Sequence, residues 1–264
     1  MRPRVIASTT SHKTEPFLPT LEVLSRLGLC DLDLNLWHVI EEGVSVGTIQ
    51  QGLVSHGQRV WVVSGGWCDF SHGEPEIDRT FSSVERQVAI ARQLGVGVLR
   101  LFFGRLKRAD YNPASRDIMC GNLRRLSDRH PDVTLVLENH DGASARPEVC
   151  REILERVDRL NVRLTFDPIN FERAGVNSLE ALETLRPWIG HVHLKGIERG
   201  ELCEFGAGDV DLTPLLRSLL GHGYTGGFSV EYEGPFDGTL RLYHSVRRAE
   251  ATVKEIAETY PPVR

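Results

Sequence analysis

Short runs rich in Val, Ile, Leu and Phe alternate with longer amphipathic segments along almost the whole chain, and this alternation limits the possible folds more than any other feature. Eight runs are expected as strands, over residues 5–8, 30–36, 59–63, 97–103, 133–138, 163–167, 191–195 and 227–232. Each precedes a helical pattern. The clearest helices are expected over 16–27, 76–94, 113–129, 147–157, 179–185, 212–220 and 236–259, with a weaker pattern over 46–56. A parallel strand pair needs a crossover, and a helix is the usual one, so repeated strand–helix units imply a parallel sheet. Eight units suit a closed barrel. The rival is an open doubly wound sheet, which usually carries a glycine-rich turn after its first strand. Here that turn reads Ser8-Thr9-Thr10-Ser11-His12, with no GxGxxG. The expected class is α/β, a single (β/α)8 barrel over residues 1–264, a length common for this architecture.

Charge and cysteine usage exclude several classes. The formal net charge is −5, against the dense basic surface that nucleic acid requires. No apolar stretch reaches the length of a membrane span. Residues 1–10 lack the apolar core of a secretory signal. The cysteines number five, with irregular spacing and no CxxC, so free thiols in a reducing compartment are expected. A cytoplasmic protein is the reading that follows.

Reactive side chains in such a barrel sit at the C-terminal ends of the strands. Strand five ends Leu137-Glu138-Asn139-His140, strand six Phe166-Asp167-Pro168, strand seven His191-Val192-His193-Leu194-Lys195, and strand eight Val230-Glu231-Tyr232-Glu233. Four consecutive strands therefore finish on metal-capable residues. Three converging carboxylates would repel, and a divalent cation removes the repulsion. Glu138, Asp167, His193 and Glu231 offer three oxygen donors and one imidazole, which suits Mn²⁺, Mg²⁺ or Co²⁺ and less often Zn²⁺. The competing account is local: Asp167 before Pro168 as a turn residue, His191 as a core histidine, and each carboxylate as a cap. By strand alternation His140 shares a face with Glu138, and His191 and Lys195 share a face with His193. Trp37, Trp67, Phe70 and Phe103 either pack on the apolar face of a ligand or fill the barrel top. Arg105 either meets an anionic substituent or lies on the surface.

These phrases, together with Phe205-Gly206-Ala207-Gly208-Asp209-Val210-Asp211-Leu212 and Gly221-His222-Gly223-Tyr224-Thr225-Gly226, resemble the sugar phosphate isomerase/epimerase family of the xylose-isomerase-like TIM barrel superfamily. The resemblance is best over residues 130–235. The superfamily also holds inosose dehydratases, ketose 3-epimerases, hydroxypyruvate isomerases and endonuclease IV. The resemblance implies one divalent metal ion, Mn²⁺ foremost, on Glu138, Asp167, His193 and Glu231. It also implies proton abstraction beside a carbonyl, with Glu138 and Glu231 as the proton-shuttling pair. His140, Lys195, Asn170, Trp67 and Arg105 are the expected substrate contacts, to a small sugar or cyclitol, with no nucleic acid or membrane partner. A homo-oligomer is compatible with this.

Two positions depart from the family pattern. Gly196 stands where an Asp often follows the Lys of strand seven, and Asn170 stands where a His often follows the Asp of strand six. Isomerisation, epimerisation and loss of water all remain open, as does a sugar-binding barrel without turnover. A nuclease like endonuclease IV needs three zinc ions and histidines that the ends of strands three and four, Ser64-Gly65-Gly66 and Phe103-Gly104, do not supply.

Overall fold

The computed structural model describes residues 3–235 and 238–260. Eight parallel strands close into a barrel: β1 (Arg4–Ser8), β2 (Asp31–Asn35), β3 (Arg59–Ser64), β4 (Val98–Phe102), β5 (Thr134–Glu138), β6 (Val162–Phe166), β7 (Ile189–Leu194) and β10 (Gly227–Val230). Their cyclic order is β1-β10-β7-β6-β5-β4-β3-β2. Each expected run overlaps one of these strands. The last ends at Val230 rather than Tyr232, so Glu231 follows the strand instead of lying within it. Two short strands, β8 (Gly196–Glu198) and β9 (Glu201–Cys203), form an antiparallel ribbon directly after β7 that the apolar pattern did not announce.

One compact unit lies within Met1–Trp61 and His191–Arg264. Here β1 pairs with β2 and β10, and β10 pairs with β7, with Ser8 opposite Asp33 and Ser229 opposite His193. Its helices are α1 (Phe17–Arg26), α2 (Leu36–Glu41), α3 (Val46–Ser55), α9 (Thr213–Gly221) and α10 (Gly238–Thr259). The expected start of the last helix, at residue 236, lies outside the described residues. Short α2 was not expected. Asn35 begins it by accepting the Trp37 amide hydrogen, a local cap that overrides the strand-like Leu36.

The second unit, Val62–Gly190, carries β4, β5 and β6 in register, with Phe102 opposite Glu138 and Glu138 opposite Thr165. Its helices are α4 (Glu76–Gln93), α5 (Pro113–Arg129), α6 (Pro147–Val157), α7 (Pro168–Arg173) and α8 (Ser178–Leu185). α6 shows why these segments are helical. Proline occupies its first turn, and Val149, Cys150, Ile153, Leu154 and Val157 form one buried stripe. Burying each of the larger side chains stabilises the fold by about 1.5–3 kcal/mol before the entropic cost of ordering it. Asp158, left-handed at φ 46°, ends the helix. Among the described residues no helix is long and apolar enough to cross a membrane.

Candidate active site

β5 delivers Glu138 to the end of its strand, 3% exposed. A carboxylate there needs compensation, since burying a charge without partners is costly. Arg100 on β4 supplies it: Nε lies 3.3 Å from Glu138 Oε2 and donates to Ser64 Oγ at 3.3 Å, while Nη1 donates to the Gly65 carbonyl at 3.1 Å. Asn170 approaches the other oxygen, donating from Nδ2 to Glu138 Oε1 at 3.2 Å and to the Asn139 carbonyl at 3.0 Å. The Asn170 amide also donates to Asp167 Oδ1 at 3.0 Å, so the Asp167 side chain caps α7. Asn139 clamps the ends of β5 and β6. Its Nδ2 donates to the Asp167 carbonyl and its Oδ1 accepts the Asp167 amide hydrogen, both at 2.8 Å. Arg100 and Asn139 were not singled out from the sequence. A lone arginine inside the apolar run of β4 was the available signal.

Phe102, opposite Glu138 in the strand register, belongs to an aromatic cluster. Trp67 stacks on Phe102 at 4.1 Å between ring centroids, and His140 meets both rings edge-on at 5.4 and 5.3 Å. The Arg105 guanidinium lies over the Trp67 ring, 4.7 Å from its centroid. Trp67 is 40% exposed, whereas Phe70 and Phe103 are buried and belong to the core. Trp37, on α2, is exposed.

In the other unit β7 presents His191 and His193 on one face, and both are buried. His191 Nε2 lies 2.8 Å from Ser229 Oγ, which fits a satisfied core histidine. His193 Nδ1 is 3.4 Å from Glu231 Oε2, and its Nε2 is 3.8 Å from Asp33 Oδ2 on β2. Asp33, His191 and His193 each offer a ligand atom, all within 4.8 Å of one another. Ser8, at the end of β1, donates to Glu231 Oε1 at 3.4 Å. Lys195 follows β7 and bridges two carboxylates, with Nζ 3.3 Å from Glu231 Oε2 and 3.1 Å from Glu233 Oε1. Glu233 Oε2 in turn accepts from Lys13 Nζ at 2.9 Å. Burial pushes the Glu233 carboxyl up, but Lys195 and then Lys13 outweigh it and leave the group below its usual range. Asp33 and Ser8 were not anticipated, because contacts between distant strands leave no local pattern.

The sequence profile of the xylose isomerase-like TIM barrel family matches residues 37–257. The chain belongs to this family. One curated relative, 3-dehydroshikimate dehydratase from Bacillus anthracis, is 23% identical over 130 residues, which is 48% of this chain and 46% of that one. The chain thus matches less than half the length of that relative. Among solved structures, the IolI protein with a bound zinc atom superposes with a TM-score of 0.80 at 19% identity, covering 100% of both chains. D-allulose 3-epimerase from Methylomonas sp. superposes at 0.79 and 14% identity, covering 95% of this chain and 98% of that one.

The family barrel explains one departure and gives the other a role. A Cβ at Gly196 would stand 2.2 Å from the Glu204 carbonyl oxygen and 2.8 Å from Cys203 Sγ, so this ribbon has no room for an aspartate. Gly208, at φ +96°, packs as closely on the Ile197 carbonyl. Asn170 holds both Glu138 and Asp167 from one side chain and its own amide. Within each unit the donor types suit a hard divalent cation: Glu138 and Asp167 are buried in one, with Arg100 on Glu138, and Asp33, His193 and Glu231 are buried in the other, with Lys195 on Glu231.

Proposed function

We propose that this protein is a divalent-metal-dependent isomerase or epimerase of a small sugar or cyclitol, acting by proton abstraction beside a carbonyl. One observation carries the reading. Glu138, Asp167, His193 and Glu231 stand at or just beyond the C-terminal ends of β5, β6, β7 and β10, which are consecutive in the barrel order. In this reading the four hold one ion, with Mn²⁺ preferred over Mg²⁺, Co²⁺ and Zn²⁺. Bound there, the ion would supply Lewis-acid polarisation of the substrate carbonyl.

The remaining work falls to the side chains. Glu138 and Glu231 take and return the proton, while Asp167 and His193 act only as ligands. Asn170 fixes Glu138 for that task. Lys195, held between Glu231 and Glu233, offers its ammonium to a developing oxyanion, and His140 holds a substrate hydroxyl. Trp67 presents a ring face to the apolar side of the sugar, and Arg105 above it meets an anionic substituent.

The test is incubation with Mn²⁺ and a panel of ketoses, ketose phosphates and inososes in D₂O. Deuterium should enter at the carbon beside the carbonyl. Glu231→Gln should abolish the exchange, and a variant that keeps its metal and its full activity sinks the assignment. A second reading, a dehydratase, is favoured by the sequence match to 3-dehydroshikimate dehydratase. The same abstraction would then be followed by loss of a β-hydroxyl, and product absorbing in the ultraviolet would distinguish it from an epimer.

A further inference from the structure

Asp33 has no part in the chemistry above, yet it is fully buried inside the barrel on β2. A carboxylate in that position is costly unless a neighbour makes use of its charge. The neighbour is His193, equally buried, whose two ring nitrogens face different carboxylates: Nδ1 is 3.4 Å from Glu231 and Nε2 is 3.8 Å from Asp33. A neutral imidazole has one nitrogen bearing hydrogen and one offering a lone pair. Glu231 shares the metal with His193 in the reading above, so Nδ1 would be the ligating atom and Nε2 would carry the hydrogen facing Asp33.

We propose that Asp33 is a positioning residue that accepts the Nε2 hydrogen of His193, fixes the tautomer with a free Nδ1 lone pair, and thereby raises metal affinity without touching the ion. The inference rests on the metal-centre reading. The distance of 3.8 Å exceeds a formed hydrogen bond of about 2.7–3.2 Å, so the proposal requires the ring and the carboxylate to draw closer. Outer carboxylates of this kind recur behind ligating histidines, where they set the ring and increase its basicity. The rival arrangement, an ion held by Asp33, His191 and His193 themselves, would make Asp33 a ligand, and the titration below separates the two.

The experiment is Mn²⁺ titration of the metal-free full chain, read by electron paramagnetic resonance, for the wild type and Asp33→Asn. The wild type should bind one equivalent. Asp33→Asn should bind about 10–100-fold more weakly, while its metal-free melting temperature stays level or rises, because a buried charge has been removed. A purely structural role for Asp33 would instead lower the melting temperature and leave the affinity of the folded fraction unchanged. As a second measurement, ¹⁵N-histidine spectra of the metal-free wild type, assigned with His193→Gln, should show the Nε2–H tautomer. Equal affinities in the two proteins overturn the proposal, as does an Nδ1–H tautomer. Two equivalents falling to one in Asp33→Asn overturn it too, since Asp33 would then be a ligand. A wild type that binds no Mn²⁺ sinks the metal-centre reading itself, and this inference with it.

Discussion

Asn170 donates its side-chain amide to Glu138 at 3.2 Å while its backbone amide caps Asp167 at 3.0 Å, so one residue holds two carboxylates of the candidate site. Replacing it with alanine removes the side-chain donor from Glu138 and from the Asn139 carbonyl. Asn170→Ala should cost about 1–3 kcal/mol in denaturant unfolding, because buried acceptors lose their partner. It should also weaken Mn²⁺ binding by roughly tenfold, read by the same titration as Asp33→Asn. A variant unchanged in both measurements would contradict the role given to this side chain.

Lys195 keeps Glu231 and Glu233 from facing each other unscreened. Lys195→Met leaves buried Glu231 and half-buried Glu233 without their shared cation. The expected loss is about 3–5 kcal/mol for a broken buried pair. Urea unfolding of the metal-free protein measures it. Adding Mn²⁺ should restore part of the loss if the ion sits beside Glu231.

At Gly196 the resemblance to relatives suggests an aspartate that the ribbon excludes. Gly196→Asp should destabilise by about 3 kcal/mol, through overpacking against the Glu204 carbonyl and Cys203. Gly196→Ala should already cost most of this, since the clash begins at Cβ. A melting temperature within a degree or so of wild type for the alanine variant would refute the steric account.

The cysteines should separate cleanly by reactivity. Cys30 is exposed, whereas Cys68 and Cys150 are buried. Burial pushes the Cys68 thiol up to about 12, and raises Cys150 as well. Iodoacetamide at pH 8 on the folded protein should therefore label Cys30 and spare the other two, because the thiolate is the nucleophile. Peptide mass spectrometry gives the result, and labelling of Cys68 at the rate of Cys30 would count against the packing described.

Acid sensitivity has one definable surface contribution. Glu152 accepts from Tyr111 Oη and Arg116 Nη1, each at 2.8 Å. The Tyr111 hydrogen bond, and then Arg116 and Arg156, hold its carboxyl below the ordinary 4.5 despite some desolvation. A lowered folded-state value means that the stabilisation is full above the unfolded value and disappears as pH falls through the folded one. Glu152→Gln should cost about 0.5–1 kcal/mol at pH 7, after allowance for solvent screening. The difference from wild type should begin to shrink as pH falls below about 4.5 and should vanish once Glu152 is protonated in the folded state. A gap independent of pH would assign the effect to packing instead.

The eight strands were legible because each is a short apolar run set off by turn residues, and the positions of Glu138, Asp167 and His193 were legible because they lie at or near the ends of such runs. Lys195 could be named from strand alternation, sharing a face with His193, whereas Asn170 could be named only through resemblance. Arg100, Asp33 and Ser8 were missed for a shared reason. Each acts on a residue of another strand, and the pairing that brings them together is set by barrel register rather than by anything nearby in the chain. The ribbon of β8 and β9 was missed because it is three residues a side and owes its shape to close backbone packing at Gly196 and Gly208.

The stack of Trp67 on Phe102, edged by His140 and roofed by Arg105, gives the protein a built-in optical reporter. A half-open indole beside a guanidinium and an imidazole emits according to what quenches it and how much water reaches it. Any molecule that settles on that ring will change the intensity and colour of its emission. Ligands can thus be screened on unlabelled protein before a single turnover has been observed.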